Sequence, residues 1–271
     1  TGCHGFCQRG PLVVIEPEGI FYTKVTESDI PDIIRSLRPG ASPVERLLYY
    51  DTTINRCIKS FRDVPFYYKQ QRLVLRNCGV INPEDIDDCL AAGGYQALRK
   101  ALTMKPEEII EEIKKSGLRG LGGAGFPTGR KWEAAFLAPG KVKYVICNGD
   151  EGDPGAFQDR SVLEGDPHSV LEGMIIAAYA ISAEHGYAYV RNEYPFAVHR
   201  LGIAIKQARE RGFLGKNILG SNFSFDVEIF QGAGAFVCGE STALVLSIEG
   251  KRGMPRPLPR PRTTEIGLWG K

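Results

Sequence analysis

Five glycines fall within the eleven residues Arg119-Gly120-Leu121-Gly122-Gly123-Ala124-Gly125-Phe126-Pro127-Thr128-Gly129. Without Cβ atoms in the way, backbone N–H groups in such a run can approach and cradle a phosphate, so it predicts a phosphate-bearing ligand; the competing reading is a flexible surface loop. The core Gly120-Leu121-Gly122-Gly123-Ala124-Gly125 satisfies G-x-G-x-x-G, and Asp150 follows a predicted strand, as a ribose-binding acid would. An ordinary Rossmann site, however, needs its glycines after a strand and at the opening of a helix. Here a predicted helix ending near Ser116 comes first, and Phe126-Pro127-Thr128-Gly129 is not expected to start a helix cleanly. No Gly-Lys-Ser/Thr follows, so the run is not a P-loop.

The rest of the chain sets the context. Strands are expected at Lys143 to Cys147, Ala188 to Val190 and Asp226 to Gln231, with amphipathic helices at Ser169 to Ile181 and Phe196 to Arg211 between them. Asn82-Pro83-Glu84-Asp85 and Lys105-Pro106-Glu107-Glu108 each place Pro and acids where a helix starts. This alternation predicts an α/β sandwich on a mostly parallel sheet. Upstream, strands at Leu12 to Ile15 and Ile20 to Val25 and a helix capped by Ser28 predict a small β-β-α unit. Phe66 to Gln71 reads as a connector, and Lys251 to Arg262, where Pro alternates with Arg, as a stiff extended arm. With 271 residues, one large domain and a smaller piece are expected. The boundaries are 1–60, 61–255 and 256–271, the last being the start of a further domain.

A net charge of +2 gives no concentrated basic excess, so no nucleic-acid partner is expected. No apolar run approaches the roughly 20 residues of a membrane span. Seven cysteines, scattered apart from Cys3 and Cys7, argue for a reducing compartment, with the cytoplasm as default. Cys57, Cys78, Cys89, Cys147 and Cys238 lack metal spacing and read as small buried hydrophobes. The four histidines read as surface or capping residues. The N-terminus carries no signal-peptide pattern and reads as an internal boundary.

Three long motifs occur in order: RGLGGAGFPTGRKW from Arg119, CNGDEGDPGAFQDR at Cys147 to Arg160, and GAGAFVCGESTAL at Gly232 to Leu244. Together they resemble the NADH-binding flavoprotein subunit of respiratory complex I and its relatives in NAD-linked hydrogenases and formate dehydrogenases. Phe66 to Gly94 and Gly267 to Gly270 resemble that family as well. The resemblance implies a Rossmann-like α/β sandwich binding FMN and NAD(H) stacked in one cleft, preceded by a partial thioredoxin-like ferredoxin unit. The activity implied is hydride transfer between NAD(H) and FMN, with electrons passing to iron-sulfur clusters of a hydrogenase, formate dehydrogenase or quinone reductase.

By the same resemblance Gly120, Gly122, Gly123, Ala124, Gly125, Phe126, Gly129 and Lys131 face the cofactors, Phe126 stacking on adenine and Lys131 reaching the flavin. Asn148, Asp150, Glu151 and Asp153 lie at the nicotinamide and flavin ring edge, Glu151 taking the catalytic position. At the end of an open α/β strand such residues can hydrogen-bond a ligand, although Asn-Gly-Asp and Asp-Pro-Gly also encode turns. Gly239 and Glu240 belong to the flavin phosphate and ribose, Ser241 to the NADH ribose, and Phe236 stands where relatives often have Tyr. Ser241 stands where relatives often carry a second Glu, and Arg262 or Thr263 where an adenine-stacking Phe is expected. Cys3 and Cys7 resemble half of a four-thiolate set for a two-iron two-sulfur cluster, and a four-iron four-sulfur cluster is expected in a C-terminal region beyond this sequence. Two other readings stay open: a non-catalytic assembly module, and a conventional NAD(P)-binding dehydrogenase half.

Overall fold

A computed structural model describes residues 2–122, 125–153, 155–257, 259 and 261–271. Two compact units are formed, one of residues 4–76 and one of residues 77–271 with the first three residues. The division falls after Arg76, later in the chain than the composition suggested.

In the smaller unit, β1 (Val13–Ile15) and β2 (Ile20–Tyr22) pair antiparallel, with Ile15 opposite Ile20 and Val13 opposite Tyr22. Both faces of β2 are covered. Ile20 and Tyr22 pack with Val25, Ile33 and Leu47, while Phe21 packs on the other side with Ile58, Val64 and Tyr67. Helix α1 (Ile30–Ser36) follows a 3-10 turn whose cap is Thr26, not Ser28. Thr26 and Asp29 form a reciprocal capping box, Thr26 N–H donating to Asp29 Oδ2 at 2.8 Å, and this doubly bonded start outcompetes the later serine. The weakly patterned stretch after Gly40 supplies a second hairpin, β3 (Tyr49–Asp51) with β4 (Arg56–Ile58). Cys57 is exposed on β4, contrary to its expected burial. Phe66 to Gln71 is not a plain connector: α2 (Pro65–Tyr68) begins there, and its Tyr67 is buried among the rings of this unit.

The larger unit opens with α3 (Ile86–Ala91), α4 (Gln96–Ala101), α5 (Pro106–Ser116) and α6 (Thr128–Leu137). Then β5 (Tyr144–Gly149) leads to α7 (Asp159–Gly165) and α8 (Pro167–Ile181), β6 (His185–Arg191) to α9 (Pro195–Glu210), and β7 (Asp226–Gly232) to α10 (Ser241–Ile248). The three strands form one parallel sheet in the order β5-β6-β7. Period-2 alternation sends Val145, Cys147, Ala188, Val190, Val227 and Ile229 to a core shared with α8 and α9. Tyr144, Ile146, Tyr187, Tyr189 and Phe230 face a second core with α10. A parallel sheet buried on both faces is the expected sandwich. Among the described residues, no helix is long and apolar enough to cross a membrane.

One expectation fails at the glycine run. Helix α6 does begin at Thr128, directly after Pro127. A Cβ on Gly129 would lie 2.7 Å from Lys114 N and 2.9 Å from Lys114 Cα. The bare glycine therefore lets the start of α6 press against the backbone of α5, and tertiary packing overrides poor local propensity. The element before the run is helix α5, as expected, and not a strand.

His185 and His199 are exposed, but His168 is 1% exposed, which corrects its reading as a surface residue. Gln207 Nε2 donates to Glu84 O at 2.9 Å, so Gln207 Oε1, 3.2 Å from His168 Nε2, is free to accept. His168 must then carry its proton on Nε2 and accept from Tyr95 Oη, 2.9 Å away, at Nδ1. Burial lowers the His168 pKa from 6.5, against the opposing Gln207 bond and the charges of Asp166 and Asp85. Below about pH 6.5 the unfolded chain takes up a proton that the folded chain resists, so the stability this residue contributes at neutral pH is lost as pH falls. Urea midpoints at pH 7.5 and 5.5 should show this loss, and His168→Gln should flatten it. An equal fall in the variant would refute the assignment.

Candidate active site

The register places the ends of the three strands level, with Gly149 opposite Val190 and Arg191 opposite Gly232. Loops leaving the C-terminal ends of parallel strands form the crevice where open α/β sheets hold ligands. From β5, Asn148 donates through Nδ2 to Gly239 O at 2.9 Å and accepts Asp150 N–H at 3.1 Å. The second and third motifs are thereby joined. A Cβ on Gly239 would lie 3.4 Å from Asp150 Oδ2, and one on Gly152 would lie 2.4 Å from the Phe236 ring. Asn148, Asp150, Phe236 and Gly239 therefore share one site, with Phe236 76% exposed at its rim.

The acidic residues divide by what they touch. Glu151 is buried, and its carboxylate accepts the N–H groups of Gln158 and Arg160, the latter at 2.9 Å, at the start of α7. Tyr194 Oη holds the Glu151 carbonyl at 2.8 Å. Glu240 accepts from Thr242 N and Ala243 N, both at 3.0 Å, and caps α10. Its carboxylate occupies the helix start that the resemblance gives to the flavin phosphate. Asp153 is exposed and closes a turn by accepting Gly155 N–H at 2.9 Å. Ser241 is exposed at the first position of α10.

Asp150 differs from these. It is 8% exposed, and among the described residues neither carboxylate oxygen has a hydrogen-bond partner. Burial raises its pKa, the Arg191 charge lowers it, and Glu193 adds to the rise. Arg191, at the end of β6, is equally buried; its Nη2 donates to Gly234 O at 2.7 Å and to Glu193 Oε1 at 2.9 Å, while among the described residues Nη1 has no partner. Arg191 lies outside all three motifs and was not among the expected site residues, although an Arg closing a buried parallel strand was the available signal.

The glycine run closes on itself between α5 and α6. Gly120 N–H donates to Phe126 O at 3.0 Å, Thr128 N–H to Leu118 O at 2.9 Å, and Arg119 Nη1 to Gly125 O at 3.3 Å. Among the described residues a Cβ on Gly122 would meet nothing within 4 Å, whereas Gly125 has φ +59° and Gly129 is pinned on α5. Gly123 and Ala124 lie outside the described residues. Lys131 is exposed one turn into α6, and Phe126 is 44% exposed. The C-terminal arm reaches both regions: Arg256 N–H donates to Thr242 Oγ1 at 3.0 Å beside α10, and the Arg262 guanidinium stands 5.9 Å from the Phe126 ring centre. A cation, not the expected aromatic ring, faces Phe126.

Residues 113–269, more than half of the chain and all three motifs with them, match the Nuo51 FMN-binding domain family. The chain belongs to that family. Similar members include the NADP-reducing hydrogenase subunit HndC of Solidesulfovibrio fructosivorans, 58% identical over 75% of this chain and 41% of its own length. An NADH-quinone oxidoreductase subunit of Aquifex aeolicus is 51% identical over 79% of this chain and 50% of its own length. A crystal structure of an NAD+-reducing NiFe hydrogenase in the H2-reduced state aligns over 99% of this chain and 41% of its own, with TM-score 0.58 and 28% identity. The chain thus spans half or less of the length of these relatives. The α/β fold expected from the sequence agrees with these matches.

Proposed function

We propose that the chain is the FMN- and NAD(H)-binding part of an NADH:acceptor oxidoreductase whose electrons pass to iron-sulfur centres of a multisubunit partner. The observation that carries this reading is the unsatisfied Asp150 carboxylate, buried where three parallel strands end within a family of FMN-binding domains. An orphaned buried charge is costly unless a ligand or water completes it. FMN, when bound, supplies the chemistry that accepts a hydride and releases single electrons; the protein's part is binding and orientation. Asn148, Asp150, Gly239, Phe236 and Lys131 would line the flavin side, and Gly120, Gly122 and Phe126 the dinucleotide side. Glu151 would act by holding the loop between β5 and α7, since both of its oxygens bind backbone N–H groups.

Cys3 and Cys7 are exposed and outside any disulfide, and among the described residues no group of three or more His, Cys, Asp or Glu could hold a metal. They would supply two of the four thiolates that hold a two-iron cluster. The partner class, a hydrogenase, formate dehydrogenase or quinone reductase, and a cytoplasmic location belong to this proposal.

The capping roles of Glu151 and Glu240 favour a second reading, an assembly module that keeps the fold without flavin chemistry. An absorbance titration with FMN, followed by anaerobic NADH or NADPH, separates the two. Saturable binding with bleaching of the flavin band by one nucleotide is the expected result. Absence of FMN binding supports the module, and nucleotide binding without FMN supports a conventional dehydrogenase half.

A further inference from the structure

Arg262 is brought to the glycine run by contacts made elsewhere in the larger unit. Ahead of it, Gly253 presses on the turn before α10, where a Cβ would lie 2.7 Å from Cys238 Sγ, and Arg256 Nη1 donates to Ile266 O at 2.5 Å. Behind it, Arg262 O accepts the N–H groups of Glu265 and Ile266, each at 2.9 Å, and Leu268 is buried in the core with α10. The backbone is thus held on both sides, while the side chain is exposed and its guanidinium stands 5.9 Å from the centre of the exposed Phe126 ring. A guanidinium in such a contact uses its flat face, so its N–H edge stays free to donate. Arg119 adds a second cation beside the same ring: its exposed side chain runs along Gly125, with Nη1 donating to Gly125 O at 3.3 Å. Among the described residues neither guanidinium has a carboxylate within ion-pair distance.

We infer that Arg262, with Arg119, holds the 2′-phosphate of the adenosine end, so that the dinucleotide site proposed above, on which this inference rests, binds NADP(H) more tightly than NAD(H). A base with a phosphate beside it uses every group at this rim: a flat ring or flat guanidinium stacks on the purine, and the free N–H edges take the phosphate oxygens. The 2′-phosphate is a dianion near neutral pH and calls for two cations. The ribose hydroxyl that replaces it in NAD(H) would leave both guanidiniums without a counter-charge. The surrounding field has the same sign. Residues 119–131 carry three basic and no acidic side chains, and residues 251–264 five and none, and the contact of Arg262 with Phe126 brings these two stretches together. Such a field favours the more anionic nucleotide.

The test titrates the whole chain calorimetrically with adenosine 2′,5′-bisphosphate and with 5′-AMP, which differ only by the phosphate in question, and then with NADP+ and NAD+. FMN is titrated separately. In the unsubstituted chain the phosphorylated member of each pair should bind about tenfold or more tightly, the effect of a charge-assisted hydrogen bond to a phosphate. In Arg262→Gln that ratio should fall to about one, and in Arg262→Lys, which keeps the charge but not the planar N–H edge, it should be intermediate. Because each ratio is taken within one variant, partial unfolding cancels. A ratio near one in the unsubstituted chain, a ratio unchanged in Arg262→Gln, or no binding of either nucleotide would overturn the inference, whether or not FMN binds. Failure of FMN to bind saturably, with the nucleotide ratio intact, would instead remove the flavin part of the proposed function and leave Arg262 in its role.

Discussion

Gly129→Ala is expected to destabilise the larger unit by about 1–3 kcal/mol and to weaken FMN binding in the same protein. The new methyl would stand 2.7 Å from Lys114 N and 2.9 Å from Lys114 Cα, and backbone cannot swing aside as a flexible side chain could. Helices α5 and α6 must separate, which is the cost of overpacking a close contact. The glycine run is strung between those two helices by the Gly120–Phe126 and Thr128–Leu118 bonds, so a shift at Gly129 moves the run as a whole. Gly122→Ala is the control, because a Cβ there meets nothing within 4 Å among the described residues. It should leave the thermal midpoint nearly unchanged. Equal midpoints for Gly129→Ala and Gly122→Ala would contradict the packing role given to Gly129.

Glu172→Leu is expected to cost roughly 2–5 kcal/mol, the combined penalty of stranding two buried amide groups. Glu172 lies in α8, 8% exposed, and accepts Tyr95 N–H and Leu98 N–H, each at 2.9 Å, at the start of α4. Leucine fills similar space but offers no acceptor, while glutamine keeps one. Urea unfolding should therefore rank the wild type first, Glu172→Gln second and Glu172→Leu last. A leucine variant as stable as the wild type would show that water satisfies those amides.

The parallel sheet, its covering helices and the order of the three motifs were legible in the sequence because each rests on local periodicity. Alternating Val145 and Cys147, or Ala188 and Val190, must face one side of a strand wherever the strand lies. The glycine run was legible as a loop for a similar reason, since serial glycines lack side chains to hold a regular element. The partners of the acidic residues were not legible. Glu151 and Glu240 carry the right chemistry for a cofactor edge, but both are drawn to nearby helix N-termini, which attract any carboxylate within reach. The start of α6 was missed because its Pro127-Thr128-Gly129 opening is stabilised by contact with Lys114, fifteen residues before Gly129 in the chain.

By itself, the sequence determined an α/β chain of the flavin family with its candidate site residues at the ends of β5 and β7, since periodicity and motif are properties of adjacent residues. Only the tertiary structure decided which of the candidate groups remain unsatisfied. That depends on β6, which carries Arg191 to the level of Asp150, and on Glu193 and Gly234, which fix its guanidinium. The side chain left without a partner is set by everything that surrounds it, and those neighbours are distant in sequence.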